Sequence, residues 1–241
     1  MKKAVRILTI SAAVISLISF SSCKRFRPVR GSGVSATEKR TVVDFEKIDI
    51  SGGFNVHIRQ DSSSAVTITA DDNLLKYIKT SVEGGKLRIY STRNFFGGSN
   101  VSVSVGFKHL RALEASGGVE VVGDGHINTG DFDLDLSGST NVKLDITAAR
   151  VHTEGSGSTE ISLKGQATSH DIDMSGSGTV DALDFVVGKY NIETSGASHC
   201  RINVLTDLSV HTSGSSEIEY RGNPSNVNSD KSGSSSITKI N

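Results

Sequence analysis

The 241-residue sequence has no tryptophan, only four tyrosines and only two cysteines, Cys23 and Cys200. Grooves that bind sugars commonly use aromatic rings as platforms, and this chain has few rings to offer. Two cysteines also cannot build the framework of several disulfides on which small secreted domains depend. These absences argue against an aromatic sugar-binding groove and against a disulfide-stabilised fold.

The sequence also lacks the common catalytic and nucleotide-binding motifs. It contains no G-x-S-x-G nucleophile turn, no G-x-G-x-x-G after a strand and no phosphate-binding loop. Its seven histidines are scattered, without the spacing of a zinc site. Aromatic–basic clusters are scarce, and this argues against a nucleic-acid partner.

No apolar run is long enough for a transmembrane helix, which needs ~20 residues. Residues 7–20 are apolar and follow three basic residues, which is typical of a signal peptide. The segment "FSSC" at 20–23 resembles a lipoprotein cleavage site. The sequence therefore predicts a signal peptide over 1–22, a lipidated Cys23 with a tether over 23–40, and an outer-membrane lipoprotein that faces the periplasm or the cell surface. A signal peptide cut elsewhere is the alternative.

The overall charge is balanced, with 26 basic and 26 acidic residues, but the balance is uneven along the chain. From residue 31 onward there are 19 basic and 26 acidic residues, so the folded part is acidic. Four basic residues follow the predicted anchor closely: Lys24, Arg25, Arg27 and Arg30. Lipid headgroups of an anionic leaflet attract such a segment.

A Ser-Gly turn recurs along the chain and is its clearest positive feature. From residue 116 onward the serines are spaced by 21, 19, 19, 20, 18 and 19 residues, which is typical of stacked repeats. The copies begin at Ser51, Ser116, Ser137, Ser156, Ser175, Ser195, Ser213 and Ser232. We attribute the repeat to architecture, because glycine adopts the backbone angles that a tight corner requires.

Apolar residues keep constant positions around each turn, five residues after the serine and, in most copies, three before it. Alternation of apolar and polar residues on both sides indicates strands. An antiparallel meander fits such units, but only parallel coils bring equivalent residues into contact. We therefore predict an all-β fold: a right-handed parallel β-helix-like solenoid of ~19-residue coils within a single domain over 41–241. Residues 111–241 form the regular repeats, and 41–110 form a less regular capping part. Cys200 occupies an apolar position and is expected to be buried.

Acidic residues recur two positions before the serine, where the apolar neighbours predict an outward direction. In stacked coils they lie ~4.8 Å apart and repel by roughly 1 kcal/mol per pair. Either the column is a solvated polar face or a bound cation offsets the repulsion; Ca²⁺, with its six to eight oxygen ligands, fits such a face. The candidate cation site is Asp135, Glu154, Asp173 and Glu193. A neighbouring outward column adds Asp133 and Asp171.

The segments "FEKIDISGGFNVHI", "VTITADDNLLKYI" and "GGKLRIY", together with the serial Ser-Gly turns, resemble the family "Putative auto-transporter adhesin, head GIN domain" over roughly residues 40–241. These are envelope proteins of Bacteroidetes-type bacteria. The resemblance implies the β-helix and a role in adhesion. It carries over no catalytic residue.

The sequence thus predicts a lipid-anchored, non-enzymatic envelope protein that presents a rigid β-helix to a glycan, a protein or another copy of itself. No cofactor is expected, apart from calcium at the acidic column. The alternative is a carbohydrate-active β-helix enzyme, a polysaccharide lyase or hydrolase, that uses the outward carboxylates. Phe95 and Phe96, in a glycine-containing loop, form either an exposed contact patch or, for at least one ring, part of the core.

Overall fold

The computed structural model of the protein describes residues 27–96 and 100–241. In these residues the fold is all-β, as predicted, and consists of one large mixed sheet that does not close on itself. A single helical turn, α1 (Asp72–Leu75), interrupts the strands. No helix in the described ranges is long and apolar enough to cross a membrane. Cys23 and the predicted signal peptide lie outside the described residues.

Twelve strands form the sheet, in the order β1-β3-β6-β2-β7-β8-β9-β10-β12. In addition, β5 pairs with β2, β4 with β5, and β11 with β9. The strands are β1 (Ser35–Arg40), β2 (Lys47–Gln60), β3 (Ala65–Asp71), β4 (Ile78–Glu83), β5 (Lys86–Ser91), β6 (Ser102–Phe107), β7 (Ala112–Asn128), β8 (Asp131–Gly196), β9 (His199–Gly214), β10 (Glu217–Gly222), β11 (Asn226–Gly233) and β12 (Ser236–Lys239).

The N-terminal part makes the sheet mixed. Strands β1 and β3, β3 and β6, and β4 and β5 pair antiparallel, whereas the pairs among β2, β7, β8, β9, β10, β11 and β12 are parallel. Strands β4 and β5 form a hairpin whose turn contains Gly84 and Gly85, and both glycines have positive φ. Strand β1 lies within the predicted tether, so this part of residues 23–40 belongs to the sheet.

Strand β8 spans 66 residues and cannot be straight. Fully extended it would measure ~220 Å, yet residues 19 apart in it touch: Nδ2 of Asn141 donates to Oε2 of Glu160 at 2.8 Å. The chain turns at the Ser-Gly pairs, where Gly157 and Gly176 have φ of +92° and +107°. A Cβ on Gly176 would lie 2.7 Å from the carbonyl oxygen of Gly157. Glycine is therefore required both for the backbone angle and for the close stacking of one turn on the next.

Equivalent residues of successive copies pair in parallel register. Ser51 pairs with Ser116 and Ser116 with Ser137, while Ser195 pairs with Ser213 and Ser213 with Ser232. The predicted stacking of like residues on like is present at both ends of the repeat array.

Bulges absorb the differences in copy length. The register shifts between Val122 and His126 where β7 meets β8, and between Ala182 and Val186 where β8 meets β9. The extra residues of the longer copies are left unpaired there, as in a β-bulge. The Ser-Gly turns consequently stay aligned although the copies differ in length.

The apolar columns predicted from the repeat form the core. Five residues after the serine, the side chains of the first seven copies are at most 1 % exposed: Val56, Val121, Val142, Ile161, Val180, Cys200 and Ile218. Ile237, in the last copy, is partly buried. The burial of Cys200 is thus confirmed. Because its surroundings are apolar, the pKa of the Cys200 thiol rises to about 12.

One polar pair interrupts this core. His170 is fully buried; its Nε2 lies 2.9 Å from Oγ1 of Thr153, and its ring packs against Phe185 and Tyr190. Burial lowers the pKa of His170 to about 3, so the imidazole is neutral at physiological pH. The side-chain N–H or lone pair at Nδ1 has no partner among the described residues.

Candidate functional site

The predicted acidic column lines a groove beside the Ser-Gly turns. The groove has a volume of about 460 Å³. A second groove of about 390 Å³ meets it at Asp173, which lines both. We call the two together the acidic groove; its acidic and imidazole side chains are Asp49, Glu114, Asp135, Glu154, Asp173, Glu193, His211 and Asp230.

Strand alternation positions these side chains. Leu134 and Leu136 are buried on either side of Asp135, so the carboxylate points to the opposite face of the sheet. Parallel register then aligns the column: Asp49 pairs with Glu114 and Glu114 with Asp135. At the other end, Glu193, His211 and Asp230 pair in sequence. The structure therefore brings the four predicted site residues, Asp135, Glu154, Asp173 and Glu193, to one surface.

Two basic side chains of β5 neutralise one end of the groove. Nζ of Lys86 contacts both carboxylate oxygens of Glu114, at 2.5 and 2.8 Å. Nε of Arg88 donates to Oδ2 of Asp49 at 3.1 Å. Sequence reasoning did not assign these partners, because only the pairing of β5 with β2 brings them to the column.

The carboxylates farther along the groove lack such partners. In the described part of the chain, Asp135, Asp173 and Glu193 make no ion pair, and Glu154 contacts only His152, with 3.1 Å between Oε1 and Nε2. That contact is an ion pair only when the imidazole is protonated. The four predicted site residues therefore lack a permanent cation, and so does Asp230 at the far end of the groove.

Asp135 differs from the others in its surroundings. It is half-buried, and this burial raises the pKa of its carboxyl. The negative charges of Glu154, Glu114 and Asp133 raise the pKa further, while His152 opposes them. Asp135 therefore keeps a proton to a higher pH than an ordinary aspartate does.

The carboxylates follow the column instead of converging on one point. Among the residues that the structure describes, no three His, Cys, Asp or Glu side chains form a ligand set for a metal ion. A calcium ion in the groove would take some of its six to eight oxygen ligands from the molecule bound there.

A wider groove lies on the other side of the Ser-Gly turns, with a volume of about 800 Å³. Its lining is rich in hydroxyl, amide and carboxylate groups, and we call it the hydroxyl groove. The side chains that repeat along it are Ser139, Thr140, Asn141, Ser158, Thr159, Glu160, Ser177, Thr179, Ser198, His199, Ser215 and Glu217. This groove was not among the predicted sites, although the sequence carries a signal for it in the polar residue four positions after each serine.

The two phenylalanines of the glycine loop separate in the structure. Phe95 packs against the core, as expected for at least one of them, while Phe96 is 57 % exposed. Phe96 lies at the edge of another groove, of about 520 Å³, that also includes Phe54 and Asn94.

Solved structures with the same fold come from Bacteroides and Parabacteroides species. A putative adhesin from Bacteroides fragilis is 20% identical, with a TM-score of 0.83 over 88% of this chain and 100% of that chain. A putative lipid binding protein from Parabacteroides distasonis is 21% identical, with a TM-score of 0.66 over 89% of this chain and 100% of that chain. A putative adhesin from Parabacteroides merdae is 21% identical, with a TM-score of 0.60 over 88% and 99%. At such identities the likeness shows a shared fold.

Among curated proteins, no sequence matches the chain significantly. A family model matches residues 44–224, which include the Ser-Gly turns from Ser51 to Ser213, the hydroxyl groove and the acidic groove as far as His211. The chain therefore belongs to the family described as "Putative auto-transporter adhesin, head GIN domain".

Proposed function

We propose that the protein is a lipid-anchored, non-enzymatic adhesin of the cell envelope whose acidic groove binds a glycan through Ca²⁺. The observation that carries this proposal is the row of four carboxylates without a permanent cation: Asp135, Glu154, Asp173 and Glu193. Membership of an adhesin family supports a binding role at the envelope. The lining favours a glycan partner, because its polar side chains are carboxylate, hydroxyl and imidazole groups and none of the described aromatic or other large apolar side chains is exposed in it.

The surface chemistry argues against a protein partner for these grooves. Protein interfaces are built around a core of apolar and aromatic side chains. The large apolar side chains that are exposed in the described part of the chain are Val34, Val43, Tyr90, Phe96, Leu205 and Val227. None of them lines the acidic or the hydroxyl groove.

Calcium offsets the mutual repulsion of the carboxylates and completes its coordination with sugar oxygens. Neighbouring coils supply one carboxylate each, so two or three of the six to eight ligands come from the protein. The remaining positions are open to water or to the hydroxyl and carboxylate oxygens of a polysaccharide. This division explains why the carboxylates need not converge before the ligand arrives.

Thermal unfolding of the mature chain, residues 23–241, with Ca²⁺ or with chelator tests the calcium step. For a site with a Kd near 10 μM, 1 mM Ca²⁺ adds ~2.7 kcal/mol of stability, which raises the Tm by several degrees. Asp173→Asn with Glu193→Gln should abolish the rise. Asp184→Asn, at an exposed acidic residue outside both grooves, should leave it intact. An unchanged Tm, with no calcium-dependent retention on immobilised polysaccharides, would refute the proposal.

A carbohydrate-active enzyme is the second candidate, and Asp135 is the observation that favours it. Glycoside hydrolases use a carboxyl of raised pKa as the acid beside a second carboxyl group, and Asp135, whose pKa is raised, lies beside Glu154 in the groove. Incubation with acidic and neutral polysaccharides separates the two functions. Loss of polymer length that disappears in Asp135→Asn identifies an enzyme; retention of the polymer without cleavage identifies an adhesin.

The anchor and location complete the proposal. Cleavage before Cys23 and lipidation of its thiol place the protein on the outer membrane, facing the periplasm or the cell surface. Mass spectrometry of the protein purified from its native membrane tests the modification, and Cys23→Ser should release the protein from the membrane fraction. Protease treatment of intact cells distinguishes the two sides.

We also infer that the repeats wind as a right-handed parallel β-helix. In-register parallel pairs and the continuous course of β8 through several Ser-Gly turns support this winding. Parallel strands joined by crossovers are right-handed in about 98% of cases. An experimental structure tests the handedness directly.

A further inference from the structure

The segment that follows the predicted anchor is bound to the folded domain. The backbone N–H of Val29 donates to the carbonyl of Asn94 at 2.8 Å, and the N–H of Phe96 donates to the carbonyl of Val29 at 2.9 Å. Nδ2 of Asn73 donates to the carbonyl of Arg30 at 2.8 Å. The chain is thus attached to the domain from residue 29 onward, only six residues after Cys23.

Aromatic rings and basic side chains surround this attachment. The guanidinium of Arg30 lies 5.8 Å from the ring centroid of Phe96. On the adjoining segment, Lys76 Nζ and the Arg93 guanidinium lie 5.1 and 6.0 Å from the ring centroid of Tyr77. Rings with cations beside them suit the boundary between lipid headgroups and acyl chains, where the ring enters the apolar side and the charge remains in the polar layer.

The two ring–cation groups lie close together in the fold. The backbone N–H of Thr92 donates to the carbonyl of Tyr77 at 2.9 Å, which joins the strand start at residue 78 to the loop that leads to Phe96. We call the surface formed by Arg30, Lys76, Tyr77, Arg93 and Phe96 the basic aromatic end.

We propose that the basic aromatic end rests on the anionic headgroups of the membrane that carries the anchor. This inference builds on the proposed lipidation of Cys23. Six residues span at most ~21 Å, so a chain fixed at Cys23 and at Val29 holds this end close to the lipid. Three basic residues lie in that short connection: Lys24, Arg25 and Arg27.

Charge selects the same end. From residue 31 onward the chain has 19 basic and 26 acidic residues, so an anionic leaflet repels the domain as a whole. Near the basic aromatic end, Asp71 and Asp72 accept hydrogen bonds from Gly33 N–H and Ser32 Oγ. These two acidic residues are outnumbered by the basic residues of this end and of the connection to Cys23: Lys24, Arg25, Arg27, Arg30, Lys76 and Arg93. Attraction of one end and repulsion of the rest orient the domain on the membrane.

Two features of the chain make this orientation measurable. The sequence has no tryptophan, so Phe96→Trp creates a single fluorescent reporter at the basic aromatic end. Cys200 is buried with a raised thiol pKa, so a maleimide lipid couples the mature chain at Cys23 alone. The matched control is Val227→Trp, at an exposed position on β11, far from β1 in the order of the sheet.

The experiment attaches both variants of the mature chain to vesicles of phosphatidylcholine with phosphatidylglycerol and brominated lipid. The expected result is strong quenching and a blue-shifted emission for Phe96→Trp, with neither effect for Val227→Trp. Equal quenching of the two variants, or none in either, would overturn the proposal. The maleimide supplies the anchor, so this outcome does not depend on whether cells lipidate Cys23.

A second arm tests the charges with the uncoupled chain. Each basic residue near an anionic surface contributes ~1 kcal/mol, or about fivefold in partitioning. Arg30→Gln with Lys76→Gln should therefore reduce binding to phosphatidylglycerol vesicles about 25-fold. Lys164→Gln with Lys189→Gln removes the same charge elsewhere and should leave binding unchanged. An equal loss in both double variants would refute a localised membrane surface.

Discussion

The stacked glycine turns lead to a quantitative prediction about Gly176→Ala. Gly176 has φ of +107°, and an added Cβ would lie 2.7 Å from the carbonyl oxygen of Gly157. The substitution therefore combines a backbone angle that side-chain-bearing residues avoid with a steric clash against backbone. Two other glycines separate these effects. Gly125 has φ of +102° with no heavy atom within 4 Å of the added Cβ, and Gly130 has neither a positive φ nor a close neighbour.

The expected losses of stability differ for the three alanine variants. The backbone angle alone costs roughly 1–2 kcal/mol, which is the expectation for Gly125→Ala. The clash in Gly176→Ala adds roughly 1–3 kcal/mol, since backbone must move to relieve it. Gly130→Ala should be neutral or stabilising by up to about 1 kcal/mol, because alanine restricts the unfolded chain. At about 2–4 °C per kcal/mol, Gly176→Ala should lower the Tm by about 4–20 °C.

Chemical denaturation of the three variants measures these differences. An unchanged dependence of the free energy of unfolding on denaturant concentration checks that each variant still unfolds in two states. The order Gly176→Ala, Gly125→Ala, Gly130→Ala is expected, from the most to the least destabilised. If Gly176→Ala lost no more stability than Gly125→Ala, the turns would not be in contact, and the argument from glycine stacking would fail.

Three further predictions concern buried or constrained residues. The pKa of His170 is about 3 in the folded chain and ~6.5 in the unfolded chain, so the unfolded chain binds the proton first as the pH falls. The contribution of neutral His170 to the free energy of unfolding is complete above ~pH 6.5 and is lost toward pH 3. About 2 kcal/mol of it is lost at pH 5. Urea midpoints at pH 7.5 and 5 measure the loss, which His170→Phe should reduce. In the unlipidated mature chain, a thiol reagent should modify only Cys23 until denaturant exposes Cys200; two reactive thiols in the native protein would contradict its burial. Gly31→Ala drives a Cβ into the carboxylate of Asp71, so the backbone amides of residues 29–33 should exchange hydrogen faster. Unchanged protection of these amides would contradict the prediction.

The repeat made much of the sheet predictable. Each copy of the Ser-Gly turn contacts the copy before it, so every copy requires glycine at the turn and an apolar residue five positions after the serine, such as Val142 or Val180. These requirements therefore recur in the sequence. A period therefore reports contacts between residues that lie about 19 positions apart. The same spacing predicts that Asp135 and Glu154 share one outer face, since each lies two positions before a serine of the repeat.

The antiparallel part of the sheet left no comparable signal. Strand β1 pairs with β3, and β3 pairs with β6, and none of these segments is repeated along the chain. No regular spacing in the sequence therefore predicts these pairs. The ion pairs of Lys86 with Glu114 and Arg88 with Asp49 depend on the pairing of β5 with β2, and β5 is likewise a segment outside the repeat. The negative charge of the acidic groove and its position beside the turns were therefore predictable from the sequence. Its neutralisation at the end next to β5 was not.

The bulges between β7 and β8 and between β8 and β9 have a practical consequence for protein engineering. They are the places where the fold already accommodates extra residues, around Asp124 and Asp184, without moving the turns on either side. A peptide epitope or a small reporter inserted there would project from the array while both grooves kept their alignment. An insertion of a single residue beside Ser175 would instead reverse the in–out pattern of the following strand and turn its apolar residues toward water.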